Sequence, residues 1–235
     1  MTEFRPSRFE ILPTVIKNLI IINVLVYIAE KILPTSTINM FDLFALHTWQ
    51  SSLFKPWQFV THLFMHSTDD ISHILFNMLA LWMFGAVLEN VWGPKRFLTF
   101  YIICGLGAAL CHMIVLYFET QQVLDQFNSL SVAMQDHYAA ALQQKIDEPT
   151  IGASGAVFGC LAAFGYLFPN TYIYIYFLFP IKAKWLVILY AGYELFAAVQ
   201  NSAGDTVAHV AHLGGALAGF LLVYYWNKNN KKTFY

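Results

Sequence analysis

Six runs of about 20 mostly apolar residues, set apart by polar or turn-forming stretches, govern what this 235-residue chain can become. They fall near residues 15–33, 72–92, 97–118, 152–168, 183–204 and 207–226. At 1.5 Å per residue, about 20 residues of helix cross a hydrocarbon core about 30 Å thick. A helix also satisfies every backbone N–H and C=O within its own segment, which lipid demands. Composition agrees: only 11% of residues are charged, against about 25% in a soluble domain. The predicted fold class is an all-α membrane protein, a six-transmembrane-helix bundle forming one polytopic domain over residues 1–235. Gly93-Pro94, Pro149-Thr150 and Pro169-Asn170 punctuate the runs, and Asn201 to Asp205 must turn tightly between the last two. Tyr172 to Phe179 is aromatic and β-branched but short, and is read as an interfacial connector.

Charge narrows the function classes. The net charge of -1 leaves no basic face for nucleic acid. Cys104, Cys111 and Cys160 lie in apolar runs without a C-x-x-C spacing, so they read as small core residues. The N-terminus mixes acids with bases and lacks a small-residue cleavage site, so no removable signal peptide is expected. Ten of the 13 basic residues (Arg5, Arg8, Lys17, Lys95, Arg96, Lys182, Lys184, Lys228, Lys231, Lys232) fall on one side of a six-span chain. Lys31, Lys55 and Lys145 fall on the other. The positive-inside rule then places both termini in the cytoplasm, with the protein in the cell (inner) membrane.

Polar residues inside these runs mark candidate chemistry, because an ionisable group within a span is costly. The second, fourth and sixth runs point the same way through the bilayer, and His73, Ser154 and His212 lie near their starts. Topology thus brings three residues far apart in sequence to one depth. Ser154 stands among small residues, Gly152-Ala153-Ser154-Gly155-Ala156, which either pack helices closely or expose a serine. The fourth run is about 17 residues, about 25 Å of helix, so its N-terminus is expected to sit below the outer surface. There its unpaired N–H groups and positive dipole end would face a cavity, as an acyl-transfer oxyanion requires. Gly215 and Gly219 share the helical face of His212, which would let that helix approach the serine and present the imidazole as general base. His209, one turn earlier, is the competing base. His73 and Asn77 share one face and can both donate hydrogen bonds. His62 and His66, also four apart, have metal-ligand spacing but no H-E-x-x-H pattern. No metal and no cofactor is predicted.

Gly152-Ala153-Ser154-Gly155, His73-x-x-x-Asn77 and Ala211-His212-x-x-Gly215-x-x-x-Gly219 together resemble the signature of the rhomboid intramembrane proteases, over residues of about 55–226. The resemblance implies a Ser154 nucleophile, a His212 base, and an oxyanion site made by His73, Asn77 and the Ser154 backbone N–H. Gly152, Gly155, Gly215 and Gly219 support it, Phe158 matches an aromatic that packs beneath the histidine, and Glu89 matches a carboxylate closing the second helix. It further implies a dyad and cleavage of transmembrane protein substrates within the lipid bilayer, and the chain has no Asp suitably placed to make a triad. Two features depart from the family pattern. Trp57-Gln58 stands where many relatives have Trp-Arg, which puts the anchoring of the first loop in doubt. The outer connection, residues 119–150, is long, and Val123, Phe127, Leu130, Met134, Tyr138 and Leu142 recur at helical spacing, predicting an amphipathic surface helix. Glu194 in the fifth run is read either as snorkelling to the interface or as tuning substrate entry. A catalytically inactive rhomboid-like binder and a histidine-containing transporter are the alternative functions.

Overall fold

The computed structural model describes residues 9–33, 38–175, 178–200 and 208–229. Helices occupy all six apolar runs. They are α1 (Thr14–Ile32), α4 (Ile71–Ala80), α5 (Ala86–Trp92), α6 (Pro94–Asn128), α8 (Ser154–Leu167), α9 (Ala183–Gln200) and α10 (His209–Asn229). A π-helical turn, Leu81–Gly85, joins α4 to α5 as one rod, Ile71–Trp92. Among the described residues, this rod and α6 are the two helices long and apolar enough to cross a membrane by length and composition alone. The others are shortened, as α8 is at 14 residues, or carry charged or imidazole side chains, such as Lys17 and Glu30 in α1, Glu194 in α9 and His209 and His212 in α10. The tight turn expected at Asn201 to Asp205 lies outside the described residues.

Local chemistry sets the ends of these elements. Gly93 takes φ +79°, which ends α5, and Pro94 at the first position of α6 starts the next helix without wasting an N–H. Glu89, buried near the end of α5, accepts from Val15 N–H and Ile16 N–H at 2.9 Å each, so it caps the first turn of α1 from another helix. An anionic group suits that end of the helix dipole.

The structure corrects two expectations outside the site and gives form to a third. The helix predicted to stop near 118 continues to Asn128, 35 residues in all, about 52 Å against a core of about 30 Å. The surface helix over 119–150 is therefore two pieces: the end of α6 and a separate α7 (Val132–Ile146), broken at Ser129–Ser131. None of the α7 residues is buried. The connector after α8 is a two-stranded hairpin, β1 (Tyr172–Ile175) against β2 (Phe179–Lys182), with Tyr172 opposite Lys182 and Ile173 opposite Ile181. Its β-branched and aromatic residues favour that form.

Between α1 and α4 the chain makes α2 (Met40–Phe44), α3 (Gln58–Thr61) and a 3-10 turn (His62–Phe64). Gln58 is fully buried and ties this loop together. Its Oε1 accepts from Lys55 N–H at 3.0 Å, and its Nε2 donates to Leu53 O at 2.9 Å and Asp42 O at 3.1 Å. Trp57 Nε1 donates to Leu43 O at 2.9 Å. The pair that put the loop's anchoring in doubt is what anchors it: an amide supplies both donors and an acceptor, so no guanidinium is needed.

Helix α8 runs through the centre, and ten of its residues, from Gly155 to Gly165, are buried. It meets α6 on one side, where Gly155 lies against Ala108 and Gly159 against Cys104. On another it meets α10, where a Cβ built on Gly215 would lie 1.9 Å from Gly155 O and one on Gly219 would lie 2.7 Å from Gly159 O. The two backbones touch, as small residues permit in membrane helix pairs. The three cysteines are free thiols, Cys104 and Cys160 within the core.

Candidate active site

Ser154 is the first residue of α8, preceded by Ala153 and by Gly152 at φ +123°. A side chain at Gly152 would be strained by that φ, and its Cβ would also meet the His73 ring at 3.1 Å. Gly152 N–H donates to His62 O at 2.9 Å, which pins the entry of α8 to the anchored loop. The N–H groups of the first turn of α8 have no intrahelical acceptor, so they are available as donors beside the serine hydroxyl.

His212 lies in the first turn of α10. Its Nε2 is 2.8 Å from Ser154 Oγ. The Gly155–Gly215 contact, one turn further on in α10, brings the helix axes close enough for this short side-chain bond. Phe158 stacks flat on the imidazole, with ring centroids 4.3 Å apart and planes 6° apart, and so fixes its plane. The glycine-faced approach read from the sequence is thus present in the structure.

His73, near the start of α4, is oriented from behind. Ser67 N–H donates to its Nδ1 at 3.2 Å, so the ring proton must sit on Nε2, which faces Gly152. The Ser154 hydroxyl faces the same glycine, 3.5 Å from where its Cβ would be. Asn77 is buried one turn along, and its Nδ2 donates to His73 O at 2.8 Å, leaving its second amide proton for other use. Ser154, His212, Phe158, Gly152 and His73 are therefore assembled around one point, with Asn77 placed behind His73.

The spacing of His62 and His66 does not make a shared ligand pair. His62 Nδ1 donates to Gln58 O at 2.7 Å, and the His66 ring packs against His73 with centroids 5.1 Å apart. Burial lowers His62 to about 4, against the opposing pull of its Gln58 bond. His66 is also lowered to about 4, first by burial and then by the neighbouring His73. Both rings are neutral at pH 7.

Sequence reasoning missed one residue of the site. Glu194 is 4% exposed and turned toward His209 and His212, so it does not snorkel to the interface. Its Oε2 lies 2.6 Å from His209 Nδ1 and 3.0 Å from His212 Nδ1. The expectation that no Asp is suitably placed left glutamate out of account, and it is Glu194 that stands there. A legible signal was present, since His209 and His212 are three apart on one helix and a buried glutamate elsewhere needs partners. These three side chains offer donor atoms within 4.8 Å of one another, a set that could hold a divalent metal. Two ligands of a tetrahedral zinc stand about 3.3 Å apart. The 2.6 Å separation of Glu194 and His209 is instead that of a charge-assisted hydrogen bond.

Comparison with known proteins follows the same lines. The rhomboid domain profile matches residues 53–229. Over 166 residues the chain is 30% identical to mitochondrial Rhomboid protein 1 of Saccharomyces cerevisiae, covering 71% of this chain and 41% of the yeast protein. It is 27% identical to rhomboid protease GluP of Bacillus subtilis over 88% of this chain and 34% of that one. It is also 27% identical to rhomboid protease AarA of Providencia stuartii, over 87% and 69%. The chain spans about two fifths or less of the yeast and Bacillus relatives. With three quarters of its length inside the profile and the serine and histidine elements in place, the chain is an integral membrane protein that belongs to the rhomboid family.

Proposed function

We propose that the chain is an intramembrane serine endopeptidase that cuts transmembrane segments of other membrane proteins, with Ser154 as nucleophile and His212 as base. The observation that carries this reading is the 2.8 Å contact between Ser154 Oγ and His212 Nε2, at the start of a buried helix and under a stacked aromatic ring. His212 Nε2 takes the hydroxyl proton as Oγ attacks the scissile carbonyl. Negative charge then develops on the carbonyl oxygen, and His73 Nε2–H, the Ser154 N–H and the second Asn77 amide proton are the donors at hand. His212 returns its proton to the leaving amine, and a water activated by the same ring releases the acyl group.

In this reading all six apolar helices cross the bilayer, both termini are cytoplasmic and the serine lies in the outer leaflet. A membrane-spanning substrate would reach it after unwinding near small, helix-destabilising residues. Between α8, α9 and α10 there is an apolar crevice lined by Phe158, Leu161, Val187, Tyr190, Leu213 and Ala216, beside the stacked ring, which suits a hydrophobic side chain. The partners are transmembrane substrates and lipid, and no cofactor is required.

The test is labelling of the detergent-purified protein with a fluorophosphonate. Ser154 should carry the label, and Ser154→Ala or His212→Ala should remove it with expression retained. Full labelling of Ser154→Ala ends the proposal. A reporter fused after Tyr235 should read cytoplasmic and one inserted near Ser131 should read outside; the opposite result would invert the placement of the serine.

A further inference from the structure

We infer that Glu194 is the positioning acid of the site, holding the Nδ1–H of His212 so that Ser154, His212 and Glu194 work as a triad, with His209 bracing the carboxylate from its other side.

The inference rests on the serine protease reading and begins from the needs of the base. For His212 Nε2 to accept the Ser154 proton, the ring must carry its own proton on Nδ1. That nitrogen is buried and has no aligned hydrogen-bond partner in the resting arrangement. A buried polar nitrogen left in that state is costly, and the tautomer of a histidine follows the bond its other nitrogen makes. The Glu194 oxygen 3.0 Å away lies off the N–H axis, yet it is within reach of a small ring or carboxylate rotation. No other carboxylate contact to His212 occurs among the described residues.

The same oxygen already receives a 2.6 Å bond from His209 Nδ1. That bond fixes Oε2 beside the base, and Tyr193 lies edge-on to the His209 ring. When His212 takes up the serine proton it becomes a cation, and a carboxylate in place beforehand stabilises that charge without reorganising. His209 is thus explained as well: it is not a second base but the clamp of the acid. The remaining imidazoles near His212 come from other helices, His73 from α4 and His112 from α6. The His112 Nε2 pairs with Thr150 Oγ1 at 2.9 Å, so neither substitutes for a carboxylate. The acid arrives from α9, a different helix from the base, so acid–base register depends on how α9 leans on α10.

The experiment compares parent, Glu194→Gln and Glu194→Asp in detergent, by fluorophosphonate labelling rate, by kcat and KM on a transmembrane substrate, and by melting. Removing the acid of a soluble triad lowers turnover by about 10⁴. Here the contact is off-axis and shared, so Glu194→Gln should lower kcat and the labelling rate together by about ten- to a hundredfold. KM and melting should stay near parental values, and Glu194→Asp should recover part of the loss. A parental labelling rate in Glu194→Gln overturns the inference, even if cleavage of the large substrate changes, because that pattern belongs to an entrance role. A loss that follows an equal fall in folded fraction also overturns it. Ser154→Ala is labelled alongside these three; if it still labels, the protease reading itself fails, which is a different outcome from parental labelling of Glu194→Gln alone.

Discussion

Helices α9 and α10 flank the same serine-bearing helix, yet they meet it by opposite means. Against α10, α8 presents Gly155 and Gly159 to Gly215 and Gly219, and carbonyl oxygens stand where side chains would begin. Against α9, the close approach is Gly165 to the Cγ2 of Val187, a side-chain tip. Much of the rest of α9 is open: Trp185, Ile188, Leu189, Tyr193, Leu195 and Phe196 are all exposed on a surface that lipid would cover. The pair Ser154–His212 is thus held by touching backbones, whereas Glu194 is delivered by a helix seated on side chains. A distance that must be kept to a few tenths of an ångström is set by backbone, and a contact that assists is left to a softer joint.

The largest effect that would break this contrast is at Gly215. Gly215→Ala places a methyl 1.9 Å from Gly155 O, and no side chain can yield to it. The helices must part, so a loss of about 3 kcal/mol of stability is expected, with labelling of Ser154 abolished. Parental melting and labelling would mean that the backbone contact does not set the geometry.

Next in size is acid loosening of the loop on which the rigid side rests. His62, whose carbonyl holds Gly152, is neutral in the fold with its pKa lowered from 6.5 to about 4 by burial. The unfolded chain therefore binds a proton that the folded one refuses between those values. Stability is complete above pH about 6.5 and falls as the pH drops toward 4, by up to about 3 kcal/mol. Melting at pH 7.5 and 4.5 should show the decline, and His62→Gln should make it shallower while the share of His66 remains. An equal decline in His62→Gln would assign it elsewhere.

Asn77→Ala is expected to lower kcat by about ten- to a hundredfold with little change in KM or melting, if its free amide proton serves the oxyanion. Early melting with parental turnover of the folded fraction would make Asn77 a helix-packing residue instead. The smallest effect sharpens the contrast from the other side. Gly165→Ala meets only the movable end of Val187, so about 1 kcal/mol or less should be lost and labelling should persist. A loss matching that of Gly215→Ala would show that α9 is as rigidly seated as α10.

The apolar runs were legible because the bilayer imposes one length and one hydrogen-bonding solution on every span. Helix α6 outran its predicted end because the polar residues from Glu119 to Asn128 leave the membrane without a proline or glycine to stop the helix. Ser154, His212 and Gly215 could be read because each has its partner in a short motif on its own helix. Glu194 carried a weaker signal, the need of a buried acid for partners, because those partners lie on another helix and span periodicity says nothing of which face meets which neighbour. Gln58 was misjudged for a related reason: comparing residue types suggested a loss where five hydrogen-bond groups in the loop find one amide.

The bond pattern at Glu89 bears on where this protein begins as a folding unit. The family profile starts at residue 53, which leaves α1 outside it. Yet Ile16 is fully buried, packed against Gly85, and two amides of that helix's opening turn, those of Val15 and Ile16, end on a carboxylate from inside the profile. A truncation at the profile boundary would strand a buried anion and unroof the wall beside Gly85. A piece cut at the profile boundary is therefore expected to need its first helix returned, in the same chain or added as a separate peptide.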